Sequence, residues 1–292
     1  MRRSLLAGGF LCYHRAEGGE DTKALGSRTG RSAVTGIAGG TFSGLTGVGG
    51  GAVMVPLLTG QLGLSQHRAH GTSLAIILFI AASGAAGYWR AGNIDWRLVA
   101  TLAPGAVVGV YVGAKAMLRV PAPQLRALFG LFLLFVAFRQ LVWHISAGTP
   151  HGGAVALVIE LGFGFAGGVL AGVLGVGGGA IFVPAIVIFG LAHASAGDDA
   201  QKIAQGVSLA VIVCTGFFGT LTNLRQETID TPVLLAVLLP AMAAAFLASQ
   251  FANRLDSDVL RRVYGVVALG LGVQILYTTV RGRGRAIEIS AI

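Results

Sequence analysis

The sequence predicts an all-α polytopic membrane protein made of two tandem copies of one unit. Three observations carry that expectation. Hydrophobic residues make up 54% of the 292 residues and charged ones 11%, with a mean hydropathy of +0.76, a balance that belongs to membrane-embedded chains. Apolar runs near the ~20 residues needed to cross a bilayer recur along the chain. The stretch Gly36–Pro56, GIAGGTFSGLTGVGGGAVMVP, returns as Gly164–Pro184, GFAGGVLAGVLGVGGGAIFVP, with 13 of 21 positions identical at a constant offset of 128.

Taken in order, residues 1–32 read as a disordered tail outside the membrane body. Met1-Arg2-Arg3 before SLLAGGFLC only faintly resembles a signal peptide, because the apolar core is short and no clear cleavage site follows. The first repeat, 33–145, opens with an apolar stretch over Val34–Leu62 that carries the glycine cluster. Spans over Ala69–Trp89, Arg97–Met117 and Gln124–Val142 follow. A linker at 146–153 holds Pro150 and three glycines. The second repeat, 154–280, has its glycine-bearing stretch at Ala154–Leu191 and spans at Ile203–Asn223, Pro232–Ala252 and Val259–Tyr277. A basic tail, 281–292, with Arg281, Arg283 and Arg285, is compatible with a cytoplasmic C-terminus.

The repeat continues past the glycines. After a seven-residue insertion the offset becomes 135, matching Gly71, Ser73, Leu74 and Ala75 to Gly206, Ser208, Leu209 and Ala210. Arg90 matches Arg225, Ile94-Asp95 matches Ile229-Asp230, and Leu125-Arg126 and Gly130 match Leu260-Arg261 and Gly265. Each unit is thus a glycine-broken segment, a span, a polar corner, a span, a basic loop and a last span. If the broken segment crosses fully, the copies are parallel; if it is re-entrant, they are inverted. Loop charge does not decide, since Lys115, Arg119 and Arg126 in one loop face Arg254, Arg261 and Arg262 against Asp256 and Asp258 in the other. Inversion is favoured, because half-helix ends meeting at the midplane are a recurrent way to build a transport site.

The glycines divide into two groups. Gly36, Gly40 and Gly44, with Gly164, Gly168 and Gly172, stand four apart and suit close helix packing. Three consecutive glycines, Gly49-Gly50-Gly51 and Gly177-Gly178-Gly179, each followed five residues later by proline, would weaken a helix by ~1 kcal/mol apiece relative to alanine. They mark a break. Gly47–Ala52 and Gly175–Ala180 formally fit a dinucleotide fingerprint, but no Asp or Glu occurs between Asp21 and Asp95 and the flanks are apolar. A break inside a membrane is tolerated where protein or a watery cavity satisfies the freed backbone. Its N–H groups, with the positive end of the helix starting near Ala52 or Ala180, then make an anion cradle. Thr72, Ser73, Gln205 and Ser208 are the polar side chains expected beside it.

Other chemistries find little support. The net charge of +9 reflects basic loops and tails at a membrane, with no basic helix or aromatic-interleaved patch for nucleic acid. Cys12 and Cys214 form no disulfide framework, and His67 with His70 lacks a third metal ligand. Glu160 is the one carboxylate near the interior of an apolar stretch; a helix-dipole role near a helix start competes with proton carriage. No nucleophile–base pair is present for an enzyme, and no cofactor or metal is expected.

The doubled G-L-x-G-V-G-G-G-x-x-x-V-P pattern resembles that of the sulfite exporter TauE/SafE family of membrane permeases, as do Thr72-Ser73-Leu74 and the corner Gly92-Asn93-Ile94-Asp95-Trp96. The resemblance covers roughly residues 33–280. It implies a secondary transporter in the cytoplasmic membrane for sulfite, sulfonates such as sulfoacetate, or related anions. The second copy departs from it: Val207 replaces the threonine, and Glu227-Thr228 precede Ile229-Asp230. The expected partners are a small anionic substrate and the lipid bilayer, with room for a homodimer. The competing class is an ion channel or a cation-coupled transporter of another small anion, in which the breaks present carbonyls to cations.

Overall fold

A computed structural model describes residues 20–116, 122–142, 153–174, 177–188, 199–225 and 228–290. Ten helices account for almost all of them: α1 Glu20–Thr46, α2 Gly51–Gly60, α3 Gln66–Arg90, α4 Trp96–Ala116, α5 Ala122–Val142, α6 Ala154–Leu174, α7 Gly179–Ile188, α8 Ala200–Arg225, α9 Thr231–Arg254 and α10 Ser257–Ser290. Five of the six expected spans, α3, α4, α8, α9 and α10, are helices long and apolar enough to cross a membrane. The sixth such helix among the described residues is α6, in the second glycine-bearing stretch, while the expected span over Gln124–Val142 is α5, whose apolar part Ala127–Val142 is shorter. The two glycine-bearing stretches are each a long helix and a ten-residue helix separated by the break. Of the expected tail at 1–32, residues 1–19 lie outside the described residues and α1 is already helical from Glu20. At the other end α10 runs on to Ser290, through most of the basic segment.

Why the corners recur is now visible. Asp95 Oδ1 accepts from the backbone N–H groups of Arg97 and Leu98 at 3.0 and 3.1 Å, and Asp230 Oδ1 accepts from that of Val233 at 3.2 Å. Each Ile-Asp corner is the N-cap of the next helix, supplying an acceptor for donors that have no partner inside the helix.

Helix directions follow from which residues touch. Along α3 and α8, Gly71 meets Asn223, Gly216 meets Leu78, Gly84 meets Leu209 and Gly206 meets Tyr88, so the pair is antiparallel. Along α5 and α10, Gly130 meets Leu276 and Gly265 meets Leu141, again antiparallel. These are equivalent helices of the two copies. The copies are therefore inverted.

The broken segment is re-entrant. Ser83 on α3 bonds Met242 O on α9 at 2.7 Å and Gly87 meets Ser249, so α3 and α9 are parallel. Gly36, Gly40 and Gly44 meet Val237, Ala241 and Ala245 in turn, so α1 runs the same way as α9 and hence as α3. Between them α2 must return. It does so against α1, with Gly39 facing Met54 and Thr35 Oγ1 donating to Gln61 Oε1 at 3.3 Å.

The four-residue glycine spacing is the seam between copies. At Gly40 and Gly168 a Cβ would run into the backbone oxygens of Ala241 and Ala106, and at Gly109 and Gly113 into those of Phe165 and Val169. Backbones approach this closely only where both faces are small. Thus α1 packs on α9 of the other copy and α6 on α4, and neither copy buries its first helix by itself. Outside, Leu128, Leu131 and Phe135 on α5 and Leu235, Leu239 and Leu247 on α9 are exposed, an apolar exterior suited to lipid.

Candidate functional site

The two breaks meet at the centre, between α3 and α8. Gly47 ends α1 in the left-handed region at φ 71°, its N–H bonded to Ser43 O at 2.8 Å, and Gly49 and Gly50 follow at 91° and 75°. Gly50 O then accepts from Val53 and Met54 N–H, starting α2. In the second copy Gly177 and Gly178 have φ 90° and 75°, and Gly178 O accepts from Ile181 and Phe182 N–H. Side chains rarely adopt such φ values, so glycine is required for the backbone path itself. Space adds a second requirement: a Cβ at Gly50 would lie 2.9 Å from Gly39 O, and one at Gly178 2.8 Å from Gly167 O.

The breaks touch across the inverted repeat. A Cβ on Gly179 would lie 2.5 Å from Gly47 O and 2.8 Å from Val48 Cα. Ile77 of α3 and Ile212 of α8, equivalent at the offset of 135, flank both Gly49 and Gly177. Since α2 and α7 both start at this crossing, their N-terminal N–H groups, which lack acceptors within the helix, gather there. The C-terminal turn of α1 ends there too. All of Gly47–Gly51 and Gly177–Gly179 are buried.

Of the side chains expected beside the glycines, three are at or near the crossing. Ser208 Oγ donates to Gly47 O at 2.7 Å. Gln205 lies against Gly47, with Oε1 accepting from Tyr88 Oη at 2.6 Å and Nε2 buried without a partner. Ser73, equivalent to Ser208, is fully buried and its hydroxyl has no partner. Thr72 is placed differently: its Oγ1 accepts from Asp230 N–H at 2.9 Å, joining α3 to the α8–α9 corner. Glu160 is buried on α6, seven residues into the helix, and Arg90 is exposed at the end of α3.

Two residues escaped the reading of the sequence. Tyr88, fully buried on α3, reaches Gly44 O at 3.0 Å as well as Gln205. Gln201, one turn before Gln205, is buried with both amide atoms unpartnered. The signal for Gln201 was available as spacing, since Gln201, Gln205 and Ser208 repeat the pattern of Gln66, His70 and Ser73 at the offset of 135. Nothing comparable marked Tyr88, whose counterpart is Asn223.

A cavity of about 650 Å³ opens at the base of the α1–α2 hairpin, lined by Gly30, Arg31, Val34, Gly60 and Gln61. It lies at the end from which α3 also starts, and Arg31 gives it a cation.

The profile of the sulfite exporter TauE/SafE family matches residues 4–140 and 159–291, one segment for each half. The chain belongs to that family. A probable membrane transporter protein of Bacillus subtilis, YdhB, is 26% identical over 82% of this chain and 96% of its own length. A second from the same organism, YunE, is 22% identical over 84% of this chain and 96% of its own. A probable membrane transporter protein of Xylella fastidiosa is 24% identical over 80% and 89%. No solved structure matches. This TauE/SafE chain is thus a multi-pass membrane protein of a transporter family, and its crossing of two glycine breaks is the candidate transport site.

Proposed function

We propose that the chain is a secondary permease of the cytoplasmic membrane that moves a small sulfur oxyanion, sulfite or an organosulfonate. The single observation that supports this best is the meeting of two half-helix N-termini at one buried crossing. Such ends direct unpaired N–H groups and a partial positive charge at one point, which favours an anion without a fixed cation. The anion would be held by the backbone of Gly49–Gly51 and Gly177–Gly179, with Ser73 and Gln205 Nε2 as side-chain donors; Ser208, whose one hydroxyl proton goes to Gly47 O, braces the crossing. Thr72, engaged at a corner, is left out of this set. Membership in the sulfite exporter TauE/SafE family supports sulfur oxyanions as the first class to try.

A second reading has an observation of its own. Gly47 O and Val48 O also face the crossing, and unwound carbonyls can hold a coupling cation. In proteoliposomes holding the purified chain, labelled sulfite and sulfoacetate should move faster than sulfate or chloride. Cation flux with no sulfur-oxyanion flux would replace the proposal with the channel reading.

A further inference from the structure

Gln201, Gln205 and Ser208 stand at i, i+4 and i+7 on α8, which places them in one row within about 60° on a helix of 3.6 residues per turn. The row starts at the second residue of α8, at the membrane surface, and runs inward. Its next member, Ile212, packs on Gly49 at the crossing. Gln201 is 3% exposed and Gln205 and Ser208 are 0% exposed, yet Gln201 Nε2, Gln201 Oε1 and Gln205 Nε2 have no hydrogen-bond partner. Buried amides without partners are uncommon, because each has given up water without replacement. Three such atoms in one row, inside a membrane protein, need a common explanation.

We propose that this row lines a half-lane, closed to water in this structure and opened during transport, through which a small anion passes between the α8 end of the membrane body and the glycine crossing. The proposal rests on the reading of the chain as an oxyanion permease, and adds the route. The amide Nε2 groups of Gln201 and Gln205 are neutral donors, suited to an ion that must be passed on and not trapped. The N-terminus of α8 gives the mouth a positive end. Lys202 beside it is tied to Asp199 at 2.8 Å, so the mouth carries no free cation from that pair to hold the anion back. Tyr88, reaching across from α3, occupies Gln205 Oε1 and leaves Nε2 as the group that faces a passing ion.

The inverted repeat supplies the other half. His70 and Ser73 stand on α3 at the positions equivalent to Gln205 and Ser208, leading to Ile77 at the same crossing. Because α3 and α8 are antiparallel, the two rows start from opposite faces of the membrane. One crossing is then reached by two half-lanes, the arrangement alternating access requires.

The test is cysteine accessibility in the full chain, with Cys12 and Cys214 changed to serine. Gln201→Cys, Gln205→Cys and Ser208→Cys are treated with an anionic methanethiosulfonate carrying a sulfonate, and with its trimethylammonium counterpart. Val207→Cys and Ala210→Cys, buried on other faces of α8, are the comparison, and monodispersity in detergent checks folding. The anionic reagent should modify the row at least about tenfold faster than the comparison sites, since only an accessible thiolate reacts. Excess sulfoacetate should slow it. Equal rates at row and comparison sites in folded protein, or reaction with the cationic reagent alone, overturn the lane. Anionic modification of the row without sulfoacetate protection and without sulfite flux keeps the lane and removes the oxyanion reading.

Discussion

Ser208 and Ser73 hold the same place in the two copies and are equally buried, but only Ser208 is bonded, to Gly47 O across the copy boundary. Tyr88 reaches Gly44 and Gln205, whereas its counterpart Asn223 bonds its own helix at Gly219 and accepts from the Thr228 hydroxyl. Thr72 ties a corner where the other copy has Val207. The backbone tells the opposite story. Gly49 and Gly177 differ by one degree in φ, Gly50 and Gly178 agree, and Met54 and Phe182 fill equivalent spaces opened by Gly39 and Gly167. The two copies share main-chain geometry at the crossing and differ in the side chains around it. A site that works through backbone amides tolerates that division; one that works through paired side chains would not.

The comparison breaks most completely if the copies are not inverted. With α5 and α10 antiparallel, the loop holding Arg119, which lies outside the described residues, and the turn at Asp256 belong to opposite faces. Arg119→Cys and Asp256→Cys, without Cys12 and Cys214, should react with an impermeant reagent from opposite sides. Reaction of both from one side would refute inversion.

Next in size is the shared backbone. Gly50→Val and Gly178→Val each place a β-branched residue at φ 75°, a conformation costing roughly 1–2 kcal/mol for an L-residue before any clash. Transport should fall to background for both, with protein still in the membrane. Wild-type flux in either variant would show that its copy does not need the break.

Smaller and symmetric effects are expected at the seam. Gly40→Ala and Gly168→Ala push a methyl into backbone oxygens of the opposite copy, with a cost of about 1–3 kcal/mol by analogy with overpacked cores. Thermal unfolding in detergent should show similar losses in both; a loss in one alone would mean the seams are not equivalent.

The smallest effects sharpen the difference between the serines. Ser208→Ala removes a buried bond and should destabilise by about 1 kcal/mol. Ser73→Ala removes an unpaired hydroxyl and should leave stability unchanged while raising KM for the anion. Thr72→Val, imitating Val207, should cost about as much stability as Ser208→Ala and leave KM alone. A raised KM there would return Thr72 to the site.

Much of this was legible in the residues. Apolar length placed five of the six helices of spanning length, because a bilayer crossing demands it, and left α6 inside a glycine-bearing stretch. The offset of 128 marked the breaks, and the Ile-Asp corners announced themselves through their recurrence. Helix direction was not legible. It depends on where the chain turns back, and the charges that would have reported sidedness are mixed in one of the two matching loops. The roles of the polar residues were only half legible. Thr72 and Ser73 are neighbours in sequence, but a helix turns about 100° between them, so one meets a corner and the other faces inward. The glycines make the same point. Gly40 and Gly50 are chemically identical, and spacing by itself separated them, Gly40 as a packing position and Gly50 as part of a break. That Gly40 packs on the opposite copy and that Gly50 turns the chain back against its own first helix was decided by what stands opposite, Ala241 in one case and Gly39 in the other. Those neighbours are brought there by tertiary packing, which no local pattern encodes.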